Sequence, residues 1–316
     1  MPIEPERMAY NMSEKPNRTA LPVSVVIASK VGSPFIDQCL KSIEGESKKL
    51  SAEVIVVVAG PSPYAARIAE QYPWTRVVHA PDIKRVPALR CRGVQEATGE
   101  LVAVIEEHCS AREGWLEQAT KTHAHGSYAA VGGPILDYNY ARLRDWVVYF
   151  CEYNGALPPV TKGETKELND ANIAYPRRLL LDHIHLLSEG YWPMTLHPTL
   201  LAKGARFLCT PEMAVFHRGP FDFAYYLRQR YLFSRAYAGV RAQTKPIHWR
   251  LAYLVGAPLI PIMLLGRMSL KVLRKRCRVL KFALTLPLTI TALVVLVAGE
   301  WTGCLLGPGD ALSQVE

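Results

Sequence analysis

Apolar positions along the chain fall into two regimes. Up to about residue 219 they come in short bursts. Residues 22–28, 53–59 and 101–105 are largely apolar and rich in β-branched side chains, and shorter candidate strands stand at 75–79 and 128–132. Continuous runs of that length predict strands buried on both faces, as in parallel sheets. Between them, residues 35–43, 64–71, 86–97 and 111–123 carry apolar positions at helical spacing. Ile36, Cys39, Leu40 and Ile43 share one side of the first of these helices. Gly60-Pro61-Ser62-Pro63 stops the second strand. Strand alternating with helix predicts an α/β fold with right-handed crossovers and a doubly wound sheet. Ligands of such sheets bind beyond the carboxyl ends of the strands, so polar residues there are the candidates for chemistry. Residues 138–170 are aromatic and show no clear period. Residues 176–187 and 193–203 predict helices, and 206–217 short strands.

After Gly219 the pattern changes. Residues 221–241 interleave aromatic side chains with Arg228, Arg230, Arg235 and Arg241, as in a helix lying at a membrane interface. Two uncharged stretches follow. Residues 251–266 contain Pro258 and Pro261, and residues 282–299 are flanked by Lys281 and Glu300. The second is long enough to span a bilayer and the first is marginal. The chain divides into a flexible tail over 1–20, a catalytic domain over 21–219 and an amphipathic interfacial helix over 220–248. Membrane-associated helices follow over 249–303, then a tail over 304–316. Residues 1–20 are polar and do not read as a signal peptide.

Charge sharpens this division. The net charge is +9, but thirteen of the 37 basic residues and none of the 28 acidic ones fall between residues 223 and 299. Positive charge interleaved with apolar runs points to anionic membrane lipids as partners, not nucleic acid. The basic loop between the two runs belongs in the cytosol by the positive-inside rule. A re-entrant first run and a crossing second run then put the catalytic domain on the cytoplasmic side of the cell (inner) membrane. The seven cysteines are scattered without CxxC spacing, which argues for reduced thiols and against a zinc ribbon.

Glu106-Glu107-His108 follows directly on the strand at 101–105. Two carboxylates and an imidazole at a strand end suit a divalent cation. The stretch from Val86 through Arg90 and Gly99 to Glu106-Glu107-His108, together with Pro22-Val-Ser-Val-Val-Ile-Ala-Ser-Lys, resembles glycosyltransferase family 2 from about residue 22 to 241. These are inverting nucleotide-sugar transferases of the GT-A (Rossmann-like, nucleotide-diphospho-sugar transferase) fold, a sheet flanked by helices. Here the sheet domain carries a C-terminal membrane-associated helical region. Glu106 and His108 fall on the family's Asp-x-Asp positions, and Arg90 on its arginine.

The resemblance implies a metal site of Glu106, His108 and His217, holding Mn²⁺ or Mg²⁺ against the donor diphosphate. It implies donor contacts from Ala28, Ser29, Lys30, Arg90, Glu106 and Glu107, and acceptor-side contacts from Asn172 and Arg177. Glu189 is the implied general base and Asp182 the runner-up. Gly132-Gly133 either lets backbone approach substrate or ends a strand. Arg230 and Arg235 can hold pyrophosphate or a lipid phosphate. The expected partners are a nucleotide-sugar donor and a lipid-linked or saccharide acceptor. The rival reading is a nucleotide-sugar-binding membrane scaffold without turnover. Val58-Ala59 stands where the family has an acidic pair, which leaves the donor's identity open.

Overall fold

The computed structural model describes residues 22–30, 34–188, 190, 192–219, 222–243 and 245–315. The tail expected over 1–20 lies outside them. Three strand–helix units open the chain: β1 (Val23–Ser29) with α1 (Ile36–Lys49), β2 (Glu53–Val58) with α2 (Ser62–Gln71), and β3 (Arg76–His79) with α3 (Val86–Glu96). The middle runs β4 (Leu101–Ile105), β5 (Cys109–Ala111), α4 (Trp115–His125), β6 (Ala130–Gly132), β7 (Ile135–Asp137), α5 (Leu143–Glu152), β8 (Gly163–Thr165) and β9 (Asn172–Pro176). Then come α6 (Arg177–Asp182), α7 (Ile184–Leu187), α8 (Trp192–Ala202), β10 (Phe207–Cys209) and β11 (Val215–His217).

Among the described residues these strands form a sheet in the order β3-β2-β1-β4-β9-β6-β10-β8 and a smaller one in the order β5-β11-β7. Every residue of β1 is buried. Alternation along the strand splits its side chains between two cores, as a period of two requires. Val23, Val25 and Ile27 pack on the side of Ile36, Leu40, Trp115 and Trp146. Val26 and Ala28 face Leu89, Val94, Tyr175 and Trp192. Helix α3 closes on this second face through Gly93, where a Cβ would sit 2.4 Å from Val26 Cγ1.

The sheet is mixed rather than uniformly parallel. β1, β2, β3 and β4 run parallel, but β9 is antiparallel to both β4 and β6. The helix expected over 176–187 is the end of β9 followed by two short helices that part at His183. The helix expected over 111–123 begins later, at Trp115, because β5 takes residues 109–111 into the small sheet.

The C-terminal region holds α9 (Phe223–Gln243), α10 (Ile247–Gly256), a 3-10 turn over Ala257–Leu259, α11 (Ile260–Lys275), α12 (Val279–Leu306) and α13 (Ala311–Gln314). Two of its segments, Ile247–Lys275 and Val279–Leu306, are long and apolar enough to cross a membrane. They differ in packing. No residue of α10 is buried, whereas Phe282, Thr285, Thr289, Ala292, Leu293, Val297, Gly299, Gly303 and Cys304 bury one side of α12 along its length.

Candidate active site

Parallel pairing of β1 with β4 sets Val26 opposite Val104, so the carboxyl ends of both strands emerge together. There Ser29 and the backbone N–H of Lys30 hydrogen-bond the Glu107 carboxylate. Ser29 Oγ also lies 3.0 Å from the Tyr64 hydroxyl. Burial pushes the Glu107 carboxyl above the usual carboxylate range, against the opposing pull of His108, Ser29 and Lys30. Of the donor residues read from sequence, Ser29, Lys30 and Glu107 are therefore one cluster, with Ala28 directly before them on β1.

Glu106 is the centre of a second cluster. Its Oε1 accepts from Arg90 Nη2 at 2.9 Å, and its Oε2 accepts from the Tyr153 hydroxyl at 3.2 Å. The other terminal nitrogen of Arg90 donates to Asp170 Oδ2 at 2.5 Å. Arg90 is 1% exposed, so its guanidinium serves the two carboxylates from the interior instead of reaching a donor. A planar fork that binds two acids at once fixes the direction of each.

His108 Nε2 lies 4.0 Å from Glu106 Oε2. The His108 and His217 rings meet edge to face with centroids 6.0 Å apart, and Tyr153 covers His217 at 4.6 Å. His217 is brought there by β11, which pairs with β5 immediately after His108. The Tyr140 hydroxyl donates to the His217 carbonyl at 2.9 Å and lies 2.7 Å from Nδ1. One hydroxyl carries one proton, so Nδ1–H donates to Tyr140 and Nε2 keeps the lone pair. Burial, then the nearby His108, hold the His217 pKa well below the ordinary imidazole value.

These residues fit a divalent cation in part. Two donors about 2.1 Å from one ion lie about 3 Å apart at right angles and about 4 Å apart on opposite sides. The Glu106–His108 spacing falls at the second figure. Among the described residues no three His, Cys, Asp or Glu side chains converge closely enough to hold a metal ion, so His217 does not join Glu106 and His108 as a third ligand in this arrangement.

A cavity of about 300 Å³ opens beside Glu106 and His108. Tyr153, Asp170, Glu152 and Arg230 line it, and Pro193, Met194, Tyr225, Tyr226, Phe233 and Val315 give it an apolar and aromatic wall. Arg230 Nη1 bonds both Glu152 oxygens, at 3.0 and 3.2 Å. Burial is the largest single influence and opposes the Arg230 charge, but Glu152, Tyr226 and Cys151 together outweigh it and raise its pKa.

Several sequence assignments fall elsewhere. Asn172 is 1% exposed and fully engaged: Trp115 Nε1 donates to it at 2.7 Å, and its Nδ2 donates to the Met213 and Pro134 carbonyls at 2.7 and 3.3 Å. It ties the two sheets together and does not face an acceptor. Arg177 sits at the wrong end of the sheet. Because β9 runs antiparallel to β4, its backbone N–H bonds the Glu100 carbonyl at 2.8 Å, six residues and roughly 20 Å from Glu106 along the strand. Asp182 ends α6, the helix that Arg177 opens. The close approach at Gly133 is to protein: a Cβ there would lie 1.9 Å from the Met213 carbonyl oxygen. Glu189 lies outside the described residues. Sequence reasoning missed Asp170, Glu152 and Tyr153. The one signal available was Arg90 itself, a cation amid buried apolar positions that needs acidic partners.

Curated protein sequences gave no match. Three solved structures share the fold. The mannosyltransferase PcManGT from Pyrobaculum calidifontis, solved with GDP-Man and Mn²⁺, is 18% identical with a TM-score of 0.54, over 94% of this chain and 88% of that one. S. aureus TarS 1-349 in complex with UDP-GlcNAc is 16% identical with a TM-score of 0.51, over 93% and 90%. GalNAc-T7 with UDP, GalNAc and Mn²⁺ is 15% identical with a TM-score of 0.51, over 65% of this chain but only 44% of that one. Residues 24–184, which carry the strand-end acids and their arginine, match the family described as Glycosyl transferase family 2. With half its length in that match and the GT-A fold around it, the chain belongs to glycosyl transferase family 2 and is a glycosyltransferase.

Proposed function

We propose that this enzyme moves a sugar, with inversion, from a nucleotide-sugar donor to an acceptor hydroxyl at a membrane surface. The acceptor is lipid-linked or a saccharide, and the catalytic domain faces the cytoplasm at the cell (inner) membrane. The observation that carries the reading is the Glu106–Arg90–Asp170 network beside His108, at the mouth of a cavity with aromatic walls.

On the donor side, Ser29, Lys30 and Glu107 form the polar rim where the ends of β1 and β4 can receive a nucleotide. Glu106 and His108, with His217 behind them, would hold Mn²⁺ or Mg²⁺. Such an ion neutralises charge on the departing diphosphate. Arg90 aims the Glu106 carboxylate. Tyr153 fixes its other oxygen. The acceptor enters through the cavity, where Tyr225, Tyr226 and Phe233 offer apolar and aromatic surface for stacking. As the acceptor oxygen bonds to the anomeric carbon and the diphosphate oxygen departs, the acceptor proton passes to a carboxylate base. Glu189 is proposed for that role from its sequence position, three residues before Trp192 at the start of the helix that brings Pro193 and Met194 to the cavity.

A panel of nucleotide sugars, with and without Mn²⁺, tests this by product formation and thermal stabilisation. Glu106→Ala is expected to lose at least 100-fold in turnover. Glu189→Gln is expected to keep donor stabilisation and lose transfer; unchanged transfer removes the base assignment. Absence of product with every donor that stabilises the protein would leave a binding scaffold instead.

A further inference from the structure

We propose that neither apolar segment crosses the bilayer, and that residues 247–306 form a platform lying within one leaflet, with its basic residues on anionic lipid headgroups. This rests on the reading of a membrane-surface transferase and specifies how it is attached.

The argument starts from the ends of the segments. Arg278 opens α12 and is paired with Asp137 on the catalytic domain, at 3.0 and 3.1 Å. Asp137 lies opposite His217 in the small sheet, so α12 departs from beside the active site. After α12 the chain returns to the same place. Ala311 and Val315 are buried against Leu232 and Ala236 of α9, and Val315 lines the cavity that holds Glu106 and His108. Gln314 accepts from Arg228 at 2.8 Å. A helix whose two flanks both touch the catalytic domain cannot deliver one of them to the far side of a bilayer.

The body of α12 agrees. Phe282 packs on Phe150 of α5 at 5.1 Å between ring centroids. Further along, a Cβ on Gly299 or Gly303 would lie 2.4 Å from the Tyr231 carbonyl oxygen or 2.3 Å from that of Arg235, both on α9. Crossing would carry α5 and α9 into hydrocarbon along with Glu152 and Arg230, charged groups that are costly at that depth. The first segment is held in the same way. Arg250 donates to the Cys304 carbonyl at 2.6 Å and Trp301 to that of Leu254 at 3.1 Å. At its far end Lys271 pairs with Glu167 at 3.1 Å, and Lys275 donates to the Leu157 carbonyl.

What remains outward is apolar. Val255 is 82% exposed, and Ile262, Met263, Leu284 and Leu306 are each more than half exposed. So large an exposed apolar surface marks an interaction site. The occupant follows from charge. Arg267, Arg274 and Arg276 are exposed on or just after α11, and no acidic residue occurs between 223 and 299. Apolar insertion beside exposed positive charge fits a leaflet with anionic headgroups.

The test uses the full chain. Sealed membrane vesicles carrying Ser313→Cys, after α12, or Lys48→Cys, on α1, are treated with an impermeant maleimide. Both sites are expected to label from the same side; labelling from opposite sides overturns the proposal. Purified protein is expected to float with phosphatidylcholine–phosphatidylglycerol vesicles at least tenfold more than with phosphatidylcholine alone. Val255→Asp combined with Ile262→Asp is expected to reduce that flotation at least tenfold. Flotation unaffected by the substitutions, or a lipid-free oligomer that they disperse, assigns the face to another occupant. None of these readouts needs sugar transfer, so an inactive protein labelled on one side sinks only the transferase reading, and an active one labelled on both sinks only this.

Discussion

At the scale of single residues, Arg90 joins stability to function. It holds Glu106 and Asp170 together while almost wholly buried. Burial raises the Asp170 pKa and Arg90 opposes that rise. Removing one partner of such a network leaves uncompensated charge, at a cost of about 3–5 kcal/mol. Arg90→Met is expected to lose that much in chemical unfolding. Adding Asp170→Asn is expected to restore part of the stability without restoring turnover, since Glu106 still lacks its guide. Recovery of both together would make Arg90 merely structural.

His197 gives a prediction about pH. It is 3% exposed, 2.6 Å from the Tyr175 hydroxyl, and burial lowers its pKa to about 4. The unfolded chain binds a proton at its ordinary value of about 6.5, so below that pH the unfolded state holds more protons than the folded one. Stability present above pH 6.5 is therefore lost as pH falls toward 4, by about 3 kcal/mol from this group. Unfolding of His197→Gln between pH 7 and 4 is expected to show a correspondingly flatter slope.

At the scale of elements, periodicity made the first half of the fold legible. β1, β2 and β4 are continuous apolar runs, and α1 keeps a clean apolar side, so pattern alone located these elements and α3 within a residue or two at most boundaries, the end of α1 at Lys49 excepted. What escaped was set by distant partners. β5, β7 and β8 are three residues each, too short to carry a period, whereas β10 and β11 fall within the short strands expected over 206–217. β9 became a strand because β4 and β6 flank it, and its reversed direction moved Arg177 away from the site. Site residues adjoining a strand end, Ser29, Glu106, Glu107 and His108, were readable. Asp170, Glu152 and Tyr153 were not, because only packing brings them to Arg90, Arg230 and Glu106. The α9–α12 contact likewise depends on close backbone approach. Gly239 faces Pro308, with a Cβ 2.2 Å from its nitrogen, and Gly303 faces Arg235. Gly303→Val is expected to lower stability by at least about 1–3 kcal/mol, the usual cost of overpacking. An unfolding midpoint equal to that of the unsubstituted protein would show that the two helices are not closely packed.

At the scale of the molecule, the cavity is closed by segments far apart in sequence. Glu106 comes from the sheet, Tyr153 follows α5, Arg230 belongs to α9, and Val315 arrives only after α12 has passed along the domain. The stretch over 308–315 thus supplies a wall of the cavity proposed to take the acceptor, held by Gln314 on Arg228 and by Ala311 in a small apolar cluster. Water competes with an acceptor hydroxyl in any transfer from an activated sugar, and excluding it is a task for the walls of the site. Deleting residues 308–316 removes Val315 without touching Glu106, His108 or Arg90. The variant is expected to keep donor affinity, to hydrolyse the nucleotide sugar several-fold faster than the full chain, and to transfer to acceptor less efficiently. Released free sugar measured beside product, at equal donor occupancy, separates these outcomes. A variant with the same ratio of hydrolysis to transfer would show that the segment only braces α9.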